Sequence, residues 1–212
     1  MKTSTVLLHA SAASASTIVP RQSSSNTATV DLSVKRGTPG HLASGFIYGI
    51  PDTNVDHFYT DMGFNYARVG DAYRARFQST KNNYITSRKY GAKVIILPHD
   101  IWGTDHADSS TVWPGDNGNW ADYDKFLNQL IGDLKSNNML QGLVFDIWNE
   151  PGLGGGTCCF WQRSQAQYLD LYVRTHKRIR SDSALNGVLI SGPSSSSQPG
   201  SSFWTAWLQR IV

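Results

Sequence analysis

From residue 43 onward the sequence alternates short, unbroken apolar runs with longer stretches in which apolar residues return every three or four positions. The short runs predict buried strands, and the longer stretches predict helices that turn one apolar face inward. Residues 43–50 form the first run, ended by the turn pair Pro51-Asp52. A short helix is expected over 56–62, stopping at Gly63, followed by a strand over 65–70. The next helix is predicted over 74–90, where Gly91 suits a left-handed cap. Residues 92–98 make the clearest strand, whose β-branched run fits a strand covered on both faces. A long loop from His99 to Asn119, carrying Trp102 and Trp113, then leads to a helix that opens near Asn119-Trp120-Ala121. In that helix Phe126, Leu127, Leu130, Ile131 and Leu134 share one face. The fourth strand is predicted over 142–148 and ends in Asn149-Glu150-Pro151. A helix over 163–180 follows, with Tyr168, Leu171, Tyr172 and Ile179 as core candidates, then a fifth strand over 187–192. A Ser-rich loop and the beginning of a helix at 203–208 close the chain.

Five βα units in succession need crossover connections and therefore a parallel sheet. Either a barrel or a doubly wound sheet satisfies that requirement. No G-x-G-x-x-G or G-x-x-x-x-G-K-[ST] turn follows any of the strands, so an α/β fold of the (β/α)8 TIM barrel type is preferred. A full barrel needs about 250 residues. The 212 residues of this sequence hold five of the eight units, so the barrel is expected to be incomplete.

Composition narrows the function classes. With 40% hydrophobic and 17% charged residues, 7 Trp and 9 Tyr, the chain is globular and rich in aromatics. The net charge of +3 is spread without a basic block interleaved with aromatic residues, so nucleic acid is not an expected partner. No stretch approaches the roughly 20 apolar residues of a membrane span. Residues 1–19 resemble a secretory signal peptide: Met1-Lys2, the apolar Val6-Leu7-Leu8, then small residues through Ala15. Secretion to the extracellular space is the corresponding expectation. Residues 20–41 read as a flexible leader or first edge segment, with Pro20-Arg21 and Lys35-Arg36 as processing points or ordinary surface charge, and 42–212 as the barrel portion. Cys158 and Cys159 are the only cysteines, so no disulfide staples distant parts of the chain. The two form a vicinal bridge, pair elsewhere or stay as thiols.

Candidate chemistry concentrates in Asp146-Ile147-Trp148-Asn149-Glu150-Pro151. A carboxyl group where an apolar strand ends sits at the face on which barrel enzymes keep their active sites. Glu150 is thus the candidate general acid, unless it caps the following helix or pairs with a surface arginine. Asn149 can donate to a substrate hydroxyl, and Pro151 stiffens the turn. No His/Cys/Asp cluster has metal-ligand spacing. There is no G-x-S-x-G elbow to indicate an esterase.

The strand-ending Asn149-Glu150-Pro151 resembles the acid/base motif of the clan A glycoside hydrolases, which are retaining barrel enzymes. Trp148-Asn149-Glu150-Pro151 with Phe160-Trp161 a short loop later is similar, more narrowly, to glycoside hydrolase family 39, whose members include β-xylosidases. The resemblance implies that Glu150 is the acid/base, Asn149 the ligand of the sugar 2-hydroxyl, and Arg68 the second-strand arginine that supports the nucleophile. A charged residue in an apolar strand needs a buried partner, so a salt bridge over the barrel mouth is the other role open to Arg68. His99, at the third strand's end, either binds sugar or is a loop histidine bonded to backbone, and Asp100 or Asp52 can take its place. Trp102, Trp113, Trp120 and Trp161, in or beside the carboxyl-end loops, are candidates for stacking on a pyranose, against a plain packing role. Packing is preferred for Trp120, and the sugar for Trp102 and Trp161. Trp148, beside Glu150, is a further substrate-binding candidate. The resemblance also implies a nucleophilic Glu ending a seventh strand. Glu150 is the only glutamate in the sequence, so the chain is expected to be the front part of such an enzyme. Glycoside hydrolysis with Glu150 as acid/base would require neither a metal nor an organic cofactor, so none is expected. The expected partner is an oligo- or polysaccharide substrate, and the alternative is a carbohydrate-binding barrel fragment without turnover.

Overall fold

The computed structural model describes residues 29–35, 37–38, 40–50, 55–69, 76–104, 107–153 and 160–211. The leader expected at 1–19, Asp52 and the pair Cys158-Cys159 lie outside them. The chain divides into a unit Met1–Thr38 and a unit Pro39–Val212. In the first, the described residues form no helix or strand, and Asp31 accepts hydrogen bonds from Ser33 N and Oγ at 2.9 and 2.6 Å. All described helices and strands belong to the second.

Five strands form one parallel sheet in sequence order: β1 (Gly45–Phe46), β2 (Tyr66–Val69), β3 (Lys93–Ile96), β4 (Leu143–Asp146) and β5 (Leu189–Ser191). The α-helices are α1 (Asp56–Met62), α2 (Arg76–Lys89), α3 (Pro98–Trp102), α4 (Ala121–Ser136), α5 (Gln165–Arg180) and α6 (Ser202–Ile211). The protein is therefore α/β. A doubly wound sheet reverses its strand order at a switch point, and these five strands do not. Among the described residues β1 and β5 are the two edges of the sheet.

Two expectations are corrected. The first strand was predicted over eight residues, but only Gly45 and Phe46 pair with β2. Beyond them regular pairing stops: Gly49, with φ +87°, makes a single further bond from its N–H to Arg68 O of β2 at 3.0 Å, and the Ile50 N–H donates to the Asn83 side chain. The loop expected from His99 instead begins with α3. Pro98 sits in its first turn, where the fixed proline φ suits a helix and the missing N–H costs nothing.

Strand register sorts the sheet into two faces. One carries Ala67, Val69, Val94, Ile96, Leu143 and Phe145, all buried. All of these but Ala67 share a core with Leu127, Leu130, Ile131 and Leu134 of α4 and Leu171, Tyr172 and Ile179 of α5. Full burial of each such side chain contributes about 1.5–3 kcal/mol, so the apolar stripes of α4 and α5 are what hold these helices to the sheet. The other face carries Arg68, Ile95, Val144 and Leu189 in one row, then Asp146 and Ser191 in the next. It is more open, with Leu189 exposed and Arg68 and Ile95 half-buried. Complete burial, expected of β3, is found in β4 instead.

A carboxylate clamps the connection before α4 to the start of α5. Asp116 accepts from Arg163 Nε and Nη2 at 2.7 and 2.8 Å, from Gln167 Nε2 at 3.0 Å and from Trp113 N at 3.0 Å. The Arg163 guanidinium, first among these, holds the Asp116 carboxyl down at about 2. A carboxyl whose folded value is depressed stabilises the fold above its unfolded value, and the contribution fades as pH falls towards the folded one. Thermal unfolding followed by circular dichroism is expected to show a loss of Tm between about pH 4 and about pH 2 that Asp116→Asn flattens. An acid limb unchanged by the substitution would contradict the clamp.

Candidate active site

The apolar run of β4 continues past its last paired residue through Ile147 and Trp148, both buried, to the half-buried Asn149 and Glu150. Arg68 of β2 and Asp146 of β4 lie on the same face of the sheet, and the guanidinium reaches across β3. It donates from Nε and Nη2 to Asp146 Oδ2 at 3.2 and 3.0 Å, and from Nη2 to Asn149 Oδ1 at 2.7 Å. The pair is largely shielded, with side-chain exposures of 20% for Arg68 and 5% for Asp146. The second carboxylate oxygen accepts from Ser194 Oγ at 2.6 Å, in the loop after β5. Because Asn149 Oδ1 is taken by the guanidinium, its Nδ2 is left as the outward-serving donor; among the described residues it has no partner.

Ser194 also fixes the backbone of Glu150, since its carbonyl accepts from Glu150 N at 2.9 Å. Both residues take left-handed backbone angles, with φ of 42° for Glu150 and 45° for Ser194. Such a conformation costs a non-glycine residue on the order of 1–3 kcal/mol and persists where the surroundings enforce it, most often at functional sites. Here the enforcing contacts are the cross-loop hydrogen bond and the Leu153 N–H donated to Glu150 O at 3.1 Å. Among the described residues nothing hydrogen-bonds the Glu150 carboxylate, so neither the helix cap nor the surface ion pair open to it in the sequence is formed there. The result is an ionisable group with no partner among the described residues, beside an amide donor whose orientation an arginine sets.

The aromatic candidates are placed differently from expectation. Trp148 and Trp161 are fully buried and offer no face to a sugar. Their rings meet edge-to-face at 5.1 Å, and Trp113 packs on both at 6.2 and 5.4 Å. Trp148 Nε1 donates to Phe160 O at 2.5 Å and Trp161 Nε1 to Ser164 O at 3.0 Å, so each indole has its polar atom satisfied inside the core. They form a rigid bed under the end of β4. Trp102 lies against Tyr123 and Phe126 of α4, at 5.7 and 5.2 Å, and is not brought to Glu150. His99 is buried in the first turn of α3, its Nε2 2.9 Å from Asp100 Oδ1 and its ring 5.4 Å from that of Trp148. Burial pushes the phenols of Tyr168 and Tyr172 up, the latter to about 12, so both remain protonated below the site.

Thus the structure brings together Arg68, Asn149 and Glu150, with Trp148 beneath them and His99 against its ring, and leaves Trp102 apart. Two members of the network had no role in the sequence: Asp146 was only part of the motif, and Ser194 was one serine among several. The signal for Ser194 was its position just past the fifth strand, where parallel strands present functional groups. Among the described residues no group of three His, Cys, Asp or Glu side chains is placed to hold a metal ion, and no helix is long and apolar enough to cross a membrane. Comparison with family models, curated proteins and solved structures gives no match.

Proposed function

We propose that this chain carries the acid/base half of a retaining glycoside hydrolase of clan A, nearest to family 39, on a secreted (β/α)8 barrel. The observation that supports it most is the Glu150 carboxyl, unbonded by the described residues, next to Asn149 at the carboxyl ends of parallel strands. Glu150 then protonates the glycosidic oxygen as the bond breaks and later takes a proton from the attacking water. Asn149 Nδ2 donates to a hydroxyl of the sugar, held in place by Arg68. Retaining hydrolysis also requires a second carboxylate about 5–5.5 Å from the first. The nearest candidate in the network, Asp146, is already engaged by Arg68 and Ser194, so the attacking group is assigned to chain outside these five strands.

Proton NMR of a β-glycoside digest by a form extended to eight strands is the test. The first-formed sugar is expected to keep the β configuration; an initial α product would mean inversion and end the proposal. A second reading, sugar binding without turnover, is favoured by Glu150 being the only glutamate. It would replace the first if calorimetry detects saturable sugar binding while the form extended to eight strands yields no product.

A further inference from the structure

Directly after Glu150 the chain runs along a cleft of about 200 Å³. Its wall is built from three separate parts of the sequence: Gly152 after β4, Gln165 opening α5, and Ser197, Ser201, Ser202 and Phe203 leading into α6. None of these lining residues carries a charge, so the cleft has nothing to neutralise a phosphate, a carboxylate or an ammonium group. It does hold unused polar atoms. Gln165 Nε2 donates to Phe203 O at 3.2 Å, which turns its Oε1 into the remaining acceptor. Among the described residues the hydroxyls of Ser197 and Ser202 have no partner either. Trp204 Nε1, donating to Ser197 O at 2.8 Å, fixes the serine loop. The opening depends on Gly152: a Cβ there would meet Ser197 Oγ at 2.8 Å, Ser195 Oγ at 2.9 Å and Phe203 Cδ2 at 3.1 Å.

We propose that this cleft is a binding site for one neutral, hydroxylated unit, a monosaccharide ring, seated against the Pro151-Gly152 turn that follows Glu150. Hydroxyl and amide groups beside an apolar ring edge match the alternating O–H and C–H surface of a sugar. The volume is below the roughly 300–1,000 Å³ of pockets that take drug-sized ligands, which limits the occupant to a single ring. Naming that occupant a sugar rests on the reading of Glu150 as a glycosidase acid; the cleft's preference for a neutral polyol rests on its own lining.

Titration of the ¹⁵N-labelled chain with methyl β-D-xylopyranoside and methyl β-D-glucopyranoside tests the proposal. At least one is expected to give saturable shifts at the amides of Gly152, Gln165, Ser197 and Ser201 to Phe203. Glucose 6-phosphate is expected to give none. Ser202→Trp, at an exposed position at the start of α6, and Gly152→Ala are each expected to weaken binding by about tenfold or more. Ser202→Trp leaves the core untouched, so it decides the matter if Gly152→Ala fails to fold. No saturable shift with either glycoside, equal response to the phosphate, or unchanged affinity in Ser202→Trp would overturn the site. If Glu150→Gln in a form extended to eight strands keeps full hydrolysis while the glycoside titration still saturates, the reading of Glu150 fails and the polyol site stands.

Discussion

In a form extended to eight strands, so that the attacking carboxylate is supplied, Glu150→Gln is expected to slow hydrolysis of alkyl glycosides by about 10²–10⁴-fold, the usual contribution of a positioned general acid. Aryl glycosides whose phenolate leaves without a proton are expected to lose far less in the bond-breaking step. The contrast follows from geometry. The substitution keeps the shape of the side chain and the backbone hydrogen bond from residue 150 to Ser194 O, and glutamine suffers the same left-handed φ as glutamate. The fold is therefore expected to be retained, and only the transferable proton is lost. Initial rates across a series of leaving groups, with circular dichroism as the control for folding, make the measurement. Equal slowing of activated and unactivated substrates would point to a binding or packing role, and full activity on alkyl glycosides would remove Glu150 from the chemistry.

Much of this arrangement was legible in the sequence because it depends on local periodicity. The stripe Leu127, Leu130, Ile131 and Leu134 predicted the buried face of α4, and Tyr168, Leu171, Tyr172 and Ile179 that of α5. Gly63 ends α1 with φ 56°, as expected of a glycine after a short helix. Arg68 was legible too: a guanidinium in an apolar strand has to find a partner, and it found Asp146. What was hidden depends on distant residues. Past the short β1 the Ile50 N–H goes to Asn83 in α2, a partner 33 residues away that local periodicity does not report. The tryptophans were ambiguous because an indole beside a strand end suits a sugar face and a core equally well. Here Trp113, Trp148 and Trp161 pack on one another, and the core claims them. The support that Ser194 gives Glu150 crosses from the β5 loop to the β4 loop, and no spacing rule in a single sequence reports such a pair.

Arg68→Met is expected to destabilise the fold by about 3 kcal/mol, the low end of what removing one partner of a buried ion pair costs. The low end applies because the Arg68 side chain retains 20% exposure. The penalty arises mainly from Asp146, 5% exposed, which would be left with Ser194 Oγ as its remaining side-chain donor. Replacing both partners, Arg68→Met with Asp146→Leu, is expected to recover most of that loss, since apolar side chains of similar volume often substitute for a buried pair at little cost. Urea unfolding of the wild type, both single variants and the double variant gives the coupling energy directly. Function should not follow stability back. The double variant still lacks the guanidinium that fixes Asn149 Oδ1, so its sugar affinity is expected to stay as low as that of Arg68→Met. A cost for Arg68→Met below about 1 kcal/mol, as found for exposed pairs, would mean that water screens the interaction. Asn149 would then have no fixed orientation, and the donor it offers beside Glu150 would lose its structural basis.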